Sequence, residues 1–447
     1  MTEPLLNSES YVDSEFAVSP VPATPAKLKF VPREPATLAD TGLSESEVEA
    51  LILRYLFSFG SRKGTDVARQ LHLPFRMVND VLTTLKRQMF VGHKNSAEMG
   101  DYEYVLSDTG IDRARRLMQH CTYCGSAPVS LDEYVLALKK QSIKRNSVDF
   151  EGICGALSEL VMSKSAIAQI GQAVSSGRCM FLYGPPGNGK TSVATRVIRA
   201  LSEHIWIPRT LSASGEIIRL FDPNNHEEVK PAYNPSLMVT EKIDERWVLI
   251  KRPSVVVGGE LNIDSLEATR NPVTGILEAP IHVKSNGGCL VVDDFGRQRI
   301  NSTELLNRWI VPLERGIDYV ALPNGRHIEI PFDQLLIFST NLSPAELCDE
   351  AFLRRIPYKI EVKNPTRQQF HDLFEQLCGE RGFKYDKSMV ENLLDKHFTA
   401  KNRPVRFCHA NDILEQVTEF CSFHRLPQEL TPESIEYAAL NYFAGIV

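Results

Sequence analysis

The sequence predicts an α/β protein built on a parallel sheet, preceded by a small α+β domain and followed by an all-helical unit. Three observations carry this. An apolar run, 179–183, leads into Gly184-Pro-Pro-Gly-Asn-Gly-Lys-Thr191 and then into helical text over 192–201, the order strand, glycine-rich loop, helix. Two further apolar runs, 289–292 and 335–338, lack alternation and lead into polar residues, as strands buried on both faces do. Helix-period text fills both flanks, with a β-hairpin pattern only in the N-terminal one. The 447 residues allow two to four domains, and 43% hydrophobic residues suffice for a sizeable core.

Composition excludes several classes. Lys plus Arg is 50 against 56 Asp plus Glu, a formal charge of −6. The chain is therefore not basic overall, as a nucleic-acid coat would be, though a local basic patch stays compatible. No run approaches the ~18 apolar residues of a membrane span. The first residues are acidic where a secretory signal is basic. Nine cysteines, an odd number, do not suit a disulfide scaffold. A cytoplasmic protein without a membrane span is the simplest expectation.

Residues 1–40 read as a disordered leader, acidic at first and then punctuated by Pro20, Pro22, Pro25, Pro32 and Pro35. Order is expected from Ser44, which with Glu47 forms a capping box. Val48, Leu51, Ile52, Tyr55, Leu56 and Phe59 then mark one helical face. Shorter helices follow at 65–71 and from Pro74, then strands at about 89–94 and 102–107. This arrangement over 44–118 resembles a winged-helix domain. In helix-turn-helix folds a recognition helix enters the major groove, and Arg76, Asn79, Thr83 and Lys86 would be its outward residues here. The segment carries 11 cationic and 10 acidic side chains, whereas phosphate binding needs several uncompensated cations. Protein contact is favoured over DNA binding. Residues 119–149 read as a linker. Its Cys121-x-x-Cys124 lacks a second ligand pair, so free thiols are expected over zinc.

The phosphate-loop motif, G-x-x-x-x-G-K-T over Gly184–Thr191, sets out Gly184, Pro185, Pro186, Gly187, Asn188, Gly189, Lys190, Thr191 and Ser192 as nucleotide-binding residues. Glycines let backbone N–H groups turn inward around phosphates, helped by the following helix N-terminus. Lys190 is expected to reach the β- and γ-phosphates and the Thr191 hydroxyl to bind Mg²⁺. The strand 289–292 ends in Asp293-Asp294. Asp293 is the expected metal partner and Asp294 the group that orients or deprotonates the attacking water.

With these motifs, GPPGNGKT above all, residues 150–447 resemble the AAA+ ATPases. The resemblance implies an α/β core over 150–363 and a C-terminal α-helical lid over 364–447, with helices at 366–378, 388–397, 406–423 and 432–442. It implies ATP and Mg²⁺ as cofactors. Leu335–Thr340 with Asn341 looks like the sensor-1 strand, so Asn341 is expected at the γ-phosphate and the lytic water. Segment 350–356 looks like the arginine-finger segment, with Arg354 and Arg355 both open. Segment 402–407 resembles sensor 2, with Arg406 preferred over Arg403. One departure is Asp294, where the family usually has Glu.

Lys190 and Asp293 lie far apart in sequence, so an insert is expected at about 203–285, with strands at 216–222, 247–252 and 254–257. Tyr233 and Trp247 are expected in its core. A hairpin is expected from 317–322 and 327–330 around Asn324-Gly325. This order resembles the pre-sensor-1 hairpin clades: MoxR-type ATPases, enhancer-binding activators and magnesium chelatases. In them such elements face a central pore, a role then expected of residues 274–277. The reading is an ATP-hydrolysing remodeller of a protein client, assembled with copies of itself into a ring, with a hexamer as the expected stoichiometry. The alternatives are a DNA-acting ATPase working through 44–118 and a slow nucleotide-dependent switch.

Overall fold

A computed structural model describes residues 30–96, 101–145, 148–230 and 242–444. Its centre is a five-stranded parallel sheet in the order Ser254–Val257, Cys289–Val292, Leu335–Thr340, Met180–Tyr183, Tyr358–Glu361. The three middle strands are apolar almost throughout, as burial on both faces requires. One face packs on Ile153, Ile170, Val174 and Val193, the other on Phe295, Leu305, Trp309 and Phe352.

Ser254–Val257 was expected in the insert. Instead it pairs Val255 with Leu290 and Val257 with Val292 in the central sheet. The insert is therefore two excursions, one before and one after this strand. The first holds an antiparallel pair, His204–Pro208 with Trp247–Lys251. A second five-stranded sheet runs Thr269–Arg270, Leu277–Glu278, Glu216–Arg219, Thr210–Ala213, Val129–Ser130. Trp247 is buried as expected; Tyr233 lies outside the described residues.

The last strand of that sheet comes from the segment expected to be a linker. Residues 119–149 also form the helix Leu131–Gln141. Its Tyr134, Ala137, Leu138 and Gln141 are buried at i, i+3, i+4 and i+7, a helical face legible in the sequence. The leader also needs correcting, for residues 30–40. Phe30 packs edge-on against Trp247 at 5.5 Å, and Arg33 bridges Ile243. A buried charge ties these pieces together. Arg246, 1% exposed, pairs with Asp244 at 2.7 Å and donates to the carbonyls of Thr41 and Pro128. Removing one partner of such a pair strands a buried charge.

The N-terminal unit packs the helices Glu45–Phe59, Gly64–Leu71, Phe75–Arg87 and Asp108–His120 with a three-stranded antiparallel sheet, Arg62–Lys63, Tyr102–Leu106, Val91–Ser96. Ser44 and Glu47 form the capping box, and Glu47 also accepts from Ser212 in the insert. The hairpin Ile317–Ala321 with His327–Pro331 closes at Gly325, whose φ is +79°. Buried Asp318 ties it to Arg308 and His282.

The C-terminal unit, Arg367–Arg381, Lys387–Leu393 with its π-helical extension Leu394–Thr399, Phe407–His424 and Pro432–Tyr442, has its own core around Phe370, Phe374, Phe398, Ile413 and Ala438. His409, in the first turn of Phe407–His424, accepts from the Arg406 backbone at 3.1 Å. Burial first, then neighbouring Arg406, pushes its imidazole from the ordinary 6.5 down to about 4, against an opposing pull from Asp412. Below pH 6.5 the unfolded chain takes up a proton that folded His409 refuses. Stability should therefore fall between about pH 6.5 and pH 4 and owe nothing to this group above that window. Melting temperature against pH should show this slope, and His409→Gln should flatten it; an equal slope in both proteins would remove His409 as its source.

Candidate nucleotide-binding site

The loop after Met180–Tyr183 is a tight cradle. Gly184, Gly187 and Gly189 have φ of +134°, +80° and +75°, values that side-chain-bearing residues rarely adopt. A Cβ on Gly184 would lie 2.5 Å from the Val362 carbonyl, and one on Gly187 2.5 Å from Cys408 Sγ. Pro186 is exposed at the loop's edge. The helix that follows, Lys190–Arg196, includes Thr191 and Ser192 and passes into a 3-10 turn, Val197–Ala200, so it is shorter than expected.

Lys190 lies 7% exposed. Its Nζ donates to the carbonyls of Gly184 and Pro185, both at 2.9 Å, and to Asn341 Oδ1 at 2.7 Å. Burial pushes the ammonium below the usual lysine value; Asp293 and Asp294 pull it back up. Thr191 Oγ1 donates to Asp293 Oδ2 at 2.9 Å. Asn341 Nδ2 donates to Asp294 Oδ1 at 3.2 Å. Lys190, Thr191, Asp293, Asp294 and Asn341 thus form one connected cluster. The strand order explains it: Leu335–Thr340 lies between the loop strand and the acid strand, which sets Asn341 between Lys190 and Asp294.

Asp294 has φ of +48°. Asp is among the few residues that tolerate the left-handed region. The turn is held by Gln298, whose side chain donates to the Asp293 carbonyl and accepts from Gly296 N, each at 2.8 Å. Thr191 Oγ1 and Asp293 Oδ2 are hard oxygen donors, the kind Mg²⁺ takes, so the residues present fit that ion.

The arginines separate clearly. Arg355 Nε donates to Glu314 at 2.6 Å within the same chain. Arg354 is exposed, with no ion pair to a described residue. Arg403 stacks over Phe443 at 4.4 Å, whereas Arg406 Cδ lies 3.7 Å from where a Gly187 Cβ would sit and acts electrostatically on Lys190.

Asn188 was expected only as a loop residue, and its role as a clasp was missed. It is 4% exposed. Its Nδ2 donates to Asn364 Oδ1 at 2.8 Å, and its Oδ1 accepts from Phe407 N at 3.3 Å. Gly187 O accepts from Cys408 N at 2.8 Å. The loop therefore satisfies first-turn N–H groups of Phe407–His424, which every helix leaves open.

Residues 274–277 do not present themselves as a free loop. Asn271 Oδ1 accepts from Val273 N and Thr274 N, the Thr274 carbonyl accepts from Thr122 N at 2.8 Å, and Leu277 is fully buried. The exposed residue is Val273, at 86%. In the N-terminal unit, Asn79 accepts from Tyr104, Lys86 contacts His93 and Thr83 donates to the Asn79 carbonyl, so three of the four outward candidates are engaged internally.

A family described as a domain of unknown function, DUF8689, matches residues 366–441, the helical C-terminal unit. No curated protein matches the chain. Among solved structures, a RuvB mutant of Thermotoga maritima is similar at 12% identity and a TM-score of 0.35, covering 68% of this chain and 73% of that one. The Thermotoga maritima RuvB Holliday junction branch migration motor gives 12%, 0.36, 63% and 70%. NtrX from Brucella abortus gives 16%, 0.39, 62% and 55%. At these scores none of them decides the function.

No described helix is long and apolar enough to cross a membrane. Among the described residues no group of three or more His, Cys, Asp or Glu is arranged to hold a metal ion, and the cysteines there are free.

Proposed function

We propose that this chain is an AAA+ ATPase that binds and hydrolyses MgATP within a homo-oligomeric ring and uses the cycle to remodel a protein client. The observation that carries the reading is the connected cluster of Lys190, Thr191, Asp293, Asp294 and Asn341 at the ends of adjacent parallel strands. The loop's backbone N–H groups and Lys190 bind the phosphates; entering phosphate oxygens replace the loop carbonyls that the ammonium now contacts. Thr191 and Asp293 would hold Mg²⁺, which would supply charge neutralisation on the phosphates. Asp294 accepts a proton from the attacking water, and Asn341 orients Asp294 and that water. Arg406 reaches the phosphates from the helical lid, and the Asn188 clasp links phosphate occupancy to that lid.

Arg354 is the better trans finger, because its guanidinium is exposed while that of Arg355 is engaged by Glu314. A finger supplied in trans requires a neighbouring copy, which favours the ring; a hexamer is the stoichiometry that the family resemblance suggests. In this reading the winged-helix-like segment 44–118 is an adaptor that docks protein. DNA binding is disfavoured by its near-neutral charge and by the internal engagement of Asn79 and Lys86. Steady-state hydrolysis and titration with MgATP test the proposal. Wild type should bind and turn over ATP, and Lys190→Ala should lose both; equal activity in Lys190→Ala would overturn the assignment.

A further inference from the structure

Between the N-terminal unit and the insert lies an open groove of about 720 Å³. It shares no residue with the phosphate cluster, so its chemistry is independent of the nucleotide reading. Arg62 and Arg69 line it from one side, Arg209 and Arg219 from the other, with His72 and Phe221 in the wall. Asp66 is the one carboxylate among the described lining residues.

Most of that charge is held rather than free. Arg209 pairs with Glu228 at 2.9 Å, Arg219 with Glu278, and Arg69 with Asp66 at 3.3 Å. Arg62 donates to the Ser61 carbonyl, with no ion pair to a described residue. Three of the four lining guanidinium groups are thus paired, and Arg62 is the lining guanidinium without an ion pair to a described residue. A polyanionic backbone needs several; one acidic side chain needs one.

The wall also carries unfinished hydrogen bonding. Arg209 Nε and His72 Nδ1 are buried and without a hydrogen-bond partner among the described residues. Orphaned polar atoms of this kind are costly unless an acceptor, ion or water completes them. The Arg209 guanidinium lies 5.5 Å from the Phe221 ring centroid and its Nη2 is held by Glu228, so the group is fixed in place in the wall. Arginine held this way suits a carboxylate, which its fork matches geometrically. The aromatic wall suits an apolar or aromatic side chain next to that acid.

We propose that this groove binds an acidic segment of a partner protein, one carboxylate set against Arg62 and Arg209 with an adjacent aromatic or apolar side chain on Phe221. Because the groove is lined by the N-terminal unit, by the connecting segment around Tyr123 and by the insert, such a segment bridges the N-terminal unit and the insert when it binds.

The test uses the full chain and a fluorescently labelled random Glu–Tyr copolymer, read by anisotropy. Wild type should bind it, and Arg62→Ala and Arg209→Gln should each weaken binding by about tenfold or more, the loss of roughly one charge-assisted contact. Far-ultraviolet circular dichroism and ATP turnover on the same samples report folding, and Arg62→Ala should leave both unchanged. Inorganic phosphate and an unlabelled oligo-dT serve as competitors and should displace the copolymer poorly. Binding equal in wild type and a folded Arg62→Ala overturns the proposal. So does failure of the copolymer to bind, or oligo-dT binding tightly in its place.

Discussion

Asp294→Asn is expected to keep MgATP binding and to lower steady-state turnover by about 10²–10⁴-fold, the range a positioned general base contributes. The substitution preserves shape and the contact with Asn341, because an amide oxygen can still accept from Asn341 Nδ2. It removes the capacity to take a proton from water. The sign is unusually well defined here, since the left-handed backbone at residue 294 suits Asn as well as Asp, and folding should be unaffected. Titration with MgATP and a coupled phosphate assay check it. Unchanged turnover would remove Asp294 from the base role. The same assay separates motor from switch. A single-turnover rate far above the steady-state rate would place the limit after chemistry, and equality of two slow rates would favour the switch.

Arg354→Ala is expected to lower turnover by about 10³-fold or more, with MgATP affinity of the single site little changed. A finger acts on charge that develops in the transition state, and fingers are worth about 10³–10⁵ in rate. Arg355→Ala should cost far less catalytically, its guanidinium being bound to Glu314, 41 positions earlier in the same chain. Kinetic comparison of the two variants decides between them; a larger loss for Arg355→Ala would reverse the assignment.

How much of this was legible depends on how local each feature is. The phosphate-loop motif is contiguous, so its geometry and its text coincide. Asp293 was marked by the acidic end of its apolar strand and Asn341 by the family resemblance of its segment, and the structure brings both beside the phosphate loop. What failed depended on distant partners. Asn188 meets Asn364 and Phe407, 176 and 219 positions away, so nothing near it marks the clasp. Arg354 and Arg355 are adjacent, and only Glu314 distinguishes them. An apolar run such as Ser254–Val257 does not record which sheet it joins; its pairing with Cys289–Val292 is a tertiary fact. The helix Leu131–Gln141 is different. Its buried face was readable at Tyr134, Ala137, Leu138 and Gln141, and the loop-like text around Cys121 and Cys124 drew attention away from it. The role expected of residues 274–277 likewise came from order along the chain, whereas the Asn271 turn and the contact with Thr122 leave Val273 as the exposed tip.

In the proposed ring the active site is composite, with Asp294 from one copy and Arg354 from the next. Mixing Asp294→Asn with Arg354→Ala tests it most directly. Each protein alone should be nearly inactive. In mixed assemblies, an Arg354→Ala subunit keeps its own Asp294 and receives an intact Arg354 from an Asp294→Asn neighbour. Turnover in the mixture should therefore rise well above the sum of the two proteins assayed separately. A mixture no more active than that sum, under conditions where light scattering shows the two to co-assemble, would contradict the trans arrangement.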